Sequence, residues 1–235
     1  MFNKVKTLIN FILLLTTVVA QGVSAQSTVV GSTPAEFNVS GGSASYSIPI
    51  QVAPGRGGMQ PDLSLNYTGG GNGVLGVGWS LGGLSSIHRC AANLELDGFI
   101  AGITFSSKDR YCLDGQRLIP VNGTNGGVGT EYKTEIDGYS QIISHGGSVN
   151  NPSYFIAKTK AGQVITFGGG SGNTGKASVI FPQGTTAWSV RTINDSTGNN
   201  LITYDYFIDQ NTQYLDEVGY EGGRVVMGYD INNRP

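Results

Sequence analysis

The stretch Ala53–Tyr67, APGRGGMQPDLSLNY, sets three glycines and two prolines between two runs that alternate like strands. Before it, Ala44, Tyr46, Ile48, Ile50 and Val52 alternate with Ser45, Ser47, Pro49 and Gln51. After it, Leu63, Leu65 and Tyr67 alternate with Asp62, Ser64, Asn66 and Thr68. A period of two marks a strand with one buried face. The interruption at Pro54–Pro61 therefore reads as a connection between two strands. Its glycines permit positive φ, and its prolines fix where pairing ends. Pro49 cannot donate to a ladder, which points to an edge strand or a bulge.

The same grammar continues outward. Gly69–Gly73 reads as a second breaker, with Val77, Trp79 and Leu81 as the next alternating set. Tyr132–Ile136, Tyr154–Thr159 and Gln163–Phe167 are further strand candidates. Ala187–Ile193 and Leu201–Phe207 flank the turn-rich Asn194–Asn200 and read as a hairpin, as do Val218–Tyr220 and Arg224–Tyr229 around Glu221-Gly222-Gly223. Beyond the N-terminal segment no run sustains a 3.6-residue period. The pattern predicts an all-β chain of antiparallel sheets with short Gly/Pro-rich turns, softly divided at Asn122–Gly129 and Ser144–Pro152.

Composition agrees. Of 235 residues 37 are Gly and only 13% are charged, against about 7% Gly and 25% charged in an average domain. The 22 aromatic residues (nine Phe, eleven Tyr, two Trp) argue for a folded chain over a disordered one. With a net charge of −2 and scattered Lys and Arg, no phosphate-tracking surface is evident, so nucleic acid is not an expected partner.

Lys4 and Lys6 precede an apolar run from Leu8 to Ala20, and Val23-Ser24-Ala25 places small residues at the positions a signal peptidase requires. This predicts a signal peptide over 1–25, cleavage between Ala25 and Gln26, an extended lead-in over 26–35, and a secreted, membrane-free domain over 36–235; the competing reading is an uncleaved membrane anchor, for which the apolar run is shorter than the ~20 residues a span needs. Export would place Cys90 and Cys112 in an oxidising compartment, where an even count favours a disulfide; two buried free thiols are the alternative. With only His88 and His145 to add imidazole and no metal-ligand spacing, no metal or cofactor is expected.

Three blocks then carry a resemblance. YSIPIQVAPGRGGMQPDLSLNY (46–67), GNGVLGVGWSLGGLSSIHRC (71–90) and DRYCLDGQRLIPV (109–121), with the weaker VVMGYDINNRP (225–235), are similar in type and order to the opening domain of the SpvB/TcdB-type virulence proteins: virulence plasmid B proteins, the B components of insecticidal toxin complexes, and related Rhs/YD-repeat proteins. The resemblance implies the beginning of a β-shell. Its expected partners are the remainder of the shell or an enclosed toxin polypeptide. The propeller, repeat array and transferase domain of those proteins have no counterpart here, and the sequence stops in mid-motif at Pro235. The expectation is thus a truncated, structural module without catalysis of its own.

Candidate chemistry stands beside that expectation. Gly170–Ala177 nearly fits the phosphate-binding G-x-x-x-x-G-K-[ST] loop but has Ala177 at the hydroxyl position, and SVIFPQG after it reads as a strand. His88 reads as a strand-end or hydrogen-bonded residue and His145 as an exposed turn residue. Glu95, Asp97, Asp109, Asp114, Glu131, Glu135 and Asp137 form a pool from which a glycosidase pair could be drawn, with Glu135, Asp137 and Lys133 on one solvated strand face. Trp79 and Trp188 could build a sugar platform, although their periodicity favours packing. A secreted carbohydrate-binding or glycoside-hydrolysing β-sandwich is therefore the alternative function. The Asn194–Asn200 turn lacks calcium-loop spacing.

Overall fold

Two-residue alternation is realised almost throughout. The computed structural model describes residues 35–40, 43–169 and 176–230, so the expected signal peptide, its Ala25/Gln26 cleavage site and all but the last residue of the 26–35 lead-in lie outside the described residues. Strands β1 (Glu36–Ser40), β2 (Ser43–Pro49), β3 (Ser64–Gly73) and β4 (Gly76–Gly82) form a four-stranded antiparallel sheet in chain order. The remaining strands are β5 (Ser86–Cys90), β6 (Arg110–Leu113), β7 (Gln116–Asn122), β8 (Glu131–Thr134), β9 (Gln141–His145), β10 (Tyr154–Lys158), β11 (Val164–Gly168), β12 (Ser178–Phe181), β13 (Gly184–Asn194), β14 (Leu201–Asp209), β15 (Thr212–Tyr220) and β16 (Gly223–Val226). A single helical turn, α1 (Leu94–Asp97), lies between β5 and β6.

From β5 to β11 each strand pairs with the next, and β13 then pairs with both β11 and β5, so eight antiparallel strands close into a barrel. A barrel of this size has room for side chains alone. Its register sets a chain of inward residues: Trp188 faces Ile87, Tyr111 faces Leu118, Tyr132 faces Ile142, and Phe155 faces Phe167, which faces Val190. All of these are at most 1% exposed. Past its pairing with β5, the long strand β13 stays paired with β11 at Thr192–Asn194 and takes up β14 on its other edge, a sheet that β15 and β16 continue.

The opening stretch is a connection, as its pattern predicts, and it also packs. Between β2 and β3 the chain makes a 3-10 turn at Arg56–Gly58 with Gly57 and Gly58 at φ 61° and 78°. It then buries Leu63 and presses Met59 and Ile50 onto the main core. Tyr220 Oη donates to the Ala53 carbonyl at 2.9 Å, tying this strap to β15.

Several expectations are corrected. Gly69–Gly73 is part of β3, which runs through it with a break in register between Tyr67 and Asn72; glycine tolerates the bulge without ending the strand. Strand β2 ends at Pro49, β8 at Thr134 and β16 at Val226, short of Val52, Ile136 and Tyr229. Asn122–Gly129 and Ser144–Pro152 divide nothing, since Asn150 N–H donates to the Gly126 carbonyl at 3.0 Å and Pro34–Pro235 is one compact unit.

Cys90 and Cys112 are joined by a disulfide between the paired strands β5 and β6. Closing a loop with a sequence separation of 22 constrains the denatured chain by roughly 3 kcal/mol in the chain-entropy model. Cys112→Ser should lower the urea midpoint accordingly. Peptide mapping without reduction should give one linked pair, and alkylation of both thiols in the denatured, unreduced chain would contradict it.

Candidate functional site

The most concentrated polar chemistry lies at one end of the barrel. Arg89, the fourth residue of β5, turns inward, and its side chain and that of Asp109 are both 0% exposed. The guanidinium donates from Nη1 to Asp109 Oδ2 at 2.9 Å, from Nε to the Thr185 carbonyl at 2.6 Å, and from Nη2 to the Asn150 carbonyl and Asn151 Oδ1 at 2.5 and 3.2 Å. Asp109 also accepts from the backbone N–H groups of Thr104 and Phe105 and from Thr104 Oγ1. The rings of Phe105, Tyr111 and Trp188 lie 5.0 to 5.7 Å from the guanidinium carbon. Every Arg89 nitrogen thus has an acceptor, as a buried charge requires. The arrangement is a plug that fastens two loops, around Thr104–Asp109 and Asn150–Asn151, to β5 and the start of β13.

A second cluster braces the adjoining loop. Asp97 accepts from Arg110 Nε at 2.6 Å and Arg117 Nη1 at 3.1 Å, while its Oδ2 caps the Asn93 N–H and Asn93 Oδ1 caps Leu96 N–H. Burial pushes the Asp97 carboxyl up, but the Arg110 hydrogen bond, the Asn93 N–H and the charges of Arg110 and Arg117 outweigh it and hold the group below its ordinary 3.8. On the alkaline side burial pushes the phenols of Tyr111 and Tyr204 up to about 12.

These shifts bound a pH window of stability. A depressed Asp97 contributes stability above its unfolded value and loses it as pH falls through the lower folded value. The raised tyrosines contribute below about pH 10 and lose it as pH rises toward 12. Urea midpoints should fall at both extremes, and Asp97→Asn should flatten the acid limb below pH 4. An unchanged acid limb in that variant would contradict the assignment.

The other sequence candidates are scattered. Trp188 is fully buried inside the barrel, while Trp79 is half-buried on the four-stranded sheet against Tyr67, with ring centroids 5.3 Å apart. They form no common platform. Asp114 accepts from Ser85 Oγ and Ser86 N–H, Glu131 from Gln141, and Asp137 pairs with Lys133 at 3.5 Å. Glu135 and Asp137 lie beyond β8, in the turn, and not on a strand face. Glu95 is exposed on α1. His88 is within β5, whereas His145 ends β9 stacked on Tyr154 at 5.1 Å instead of standing in an exposed turn. The Asp195 carboxylate is taken up by Thr197, Asn199 and Asn200 of its own turn.

Of the phosphate-loop candidate, Gly170–Gly175 lie outside the described residues. Ala177 is buried and leads into β12, a strand where such a loop requires a helix. Among the described residues no three His, Cys, Asp or Glu side chains converge to hold a metal, and no helix is long and apolar enough to cross a membrane. The Arg89–Asp109 plug escapes sequence reading. Its one local signal is an arginine at an inward position of the alternation in SSIHRC.

Fold and plug together define an all-β module in which a closed, aromatic-filled barrel carries an open sheet extension. The chain belongs to the SpvB family: the model of the Salmonella virulence plasmid 65kDa B protein matches residues 38–225. A solved structure, the N-terminal domain of the effector protein SpvB from Salmonella typhimurium strain LT2, has the same fold at 20% identity with a TM-score of 0.53. The match covers 74% of this chain and 64% of that domain, so the chain spans less than two thirds of it. No curated protein matches.

Proposed function

We propose that the chain is an exported structural module, the N-terminal shell segment of a larger toxin-type assembly, with no catalysis of its own. The observation that carries this reading is how its polar and apolar groups are divided. Four of the seven candidate carboxylates, Asp97, Asp109, Asp114 and Asp137, are committed to capping turns or to pairing with Arg89, Arg110, Arg117 or Lys133. The apolar face of the four-stranded sheet, by contrast, is only partly covered, with Phe37, Val39 and Val77 58 to 67% exposed. A sheet whose apolar face remains open is suited to being covered by further chain. The remainder of a shell, or a toxin polypeptide it encloses, is the partner this reading assigns. The disulfide suits export.

The test compares the chain alone with the chain fused to the downstream part of an SpvB-family protein. Alone, it should bind a dye that reports exposed apolar surface; fused, it should lose that binding. Neither form should turn over glycans or nucleotides. Saturable turnover abolished by one point substitution would overturn the reading, as would dye binding equal in both forms.

A further inference from the structure

The edge strand β1 is built to pair with itself. In the four-stranded sheet it stands outermost and, among the described residues, pairs only with β2, Phe37 opposite Tyr46, Asn38 opposite Ser45 and Val39 opposite Ala44. Ser45 Oγ reaches the Asn38 carbonyl at 3.4 Å, so that carbonyl faces β2. Backbone polar groups alternate along an antiparallel strand. Phe37 and Val39 therefore turn their N–H and C=O groups away from β2, to an edge that no described strand occupies. Their side chains share the apolar face, where cross-strand register lines up Phe37, Tyr46, Tyr67 and Trp79 in one row. Phe37 is 66% and Val39 58% exposed.

We infer that β1 pairs antiparallel with β1 of a second copy about a two-fold axis at Asn38, joining two four-stranded sheets into one of eight strands. In that register Phe37 of one copy lies opposite Val39 of the other, and the reverse, so the two residues with outward backbone groups satisfy one another. The aromatic row then continues across the junction as an aromatic–β-branched pair, a favourable cross-strand combination. Glu36 falls opposite position 40, so no like charges meet across the axis. A slip of one residue breaks this match, because it sets an inward-turned backbone group against an outward-turned one. A second copy is favoured over an unrelated strand because the edge supplies both halves of this complementarity. The inference rests on the edge register and not on the shell reading above.

The test is oligomeric state and register in the purified chain. Sedimentation velocity should show a dimer fraction that rises with concentration. Val39→Lys, which places a charge on the edge, and Val39→Pro, which removes an outward N–H without touching a bond to β2, should each weaken dimerisation by at least about tenfold while leaving the urea midpoint within error. Ile180→Lys, at an exposed site away from this sheet, should leave it unchanged. Directly opposed positions that do not exchange hydrogen bonds sit about 4.5 Å apart in Cα, within disulfide reach. Asn38→Cys should accordingly oxidise to a covalent dimer whose mapped link joins residue 38 to residue 38. A monomer at every concentration, a dimer indifferent to both Val39 variants, or an Asn38→Cys chain whose introduced thiol never links to its counterpart would each overturn the inference. The last would do so even if dimers form, because it excludes the register.

Discussion

Asp109→Ala is expected to destabilise the chain by about 3–5 kcal/mol, the range for removing one partner of a buried ion pair. The substitution leaves the Arg89 guanidinium at 0% exposure without its carboxylate, among carbonyls, the Asn151 amide and aromatic rings. It also strips the Thr104 and Phe105 N–H groups of their acceptor and frees the loop that Asp109 folds. Against a typical total of about 5–15 kcal/mol, such a loss leaves much of the population unfolded in mild urea. The joint replacement Arg89→Met with Asp109→Leu should cost less than Asp109→Ala alone, because no charge is then stranded. The exposed Lys133–Asp137 pair is the contrast, and Asp137→Ala should fall within about 1 kcal/mol of the parent. Urea unfolding of the four chains decides the matter. An Asp109→Ala loss no larger than that of Asp137→Ala would remove the plug from the account of stability.

Trp188→Ala should cost a comparable amount, about 3–5 kcal/mol, for a different reason. The indole is fully buried, with Phe155 and Tyr111 centroids at 5.1 and 5.6 Å, and its Nε1–H donates to the Pro152 carbonyl at 3.0 Å. Truncation leaves a cavity in the middle of the barrel and an unpaired carbonyl at its wall. The site is fitted closely: a Cβ on Gly168, at φ 76°, would collide with Trp188 Cδ1, so β11 needs glycine where it passes the ring. Trp188→Phe restores most of the volume but not the hydrogen bond and should lose about 1–3 kcal/mol. Removing Trp188 should also shift the remaining emission, from half-buried Trp79, to longer wavelength. A Trp188→Ala chain with an unchanged urea midpoint would mean that the barrel interior is not the source of stability.

Much of this architecture is written locally, and the legible parts are those where one strand carries its own pattern. The alternation on either side of Ala53–Tyr67 places β2 and β3 and makes the intervening segment a connection. The Asn194–Asn200 turn joins β13 to β14, and Glu221–Gly223 joins β15 to β16, because a tight turn and two alternating flanks suffice to specify a hairpin. Strands β1, β6, β7 and β9 are not legible. Each is four to seven residues long, too few to separate alternation from chance. Gly69–Gly73 misleads because glycine marks a turn and a bulge alike, and only the partner strand β4 distinguishes them.

The sequence by itself determined the all-β class, the resemblance that the family match bears out, and the inward or outward sense of the longer strands, since these follow from a period of two and from long unbroken motifs. Only the tertiary structure decided that β13 closes the ring between β11 and β5, that Arg89 meets Asp109 inside it, and that the Pro54–Pro61 connection packs as a strap. Each of these depends on contacts between segments distant in sequence. Closing a loop costs nearly the same entropy for many alternative partners, so the choice among them is made by which pairing buries the aromatic rings and neutralises the arginine at once.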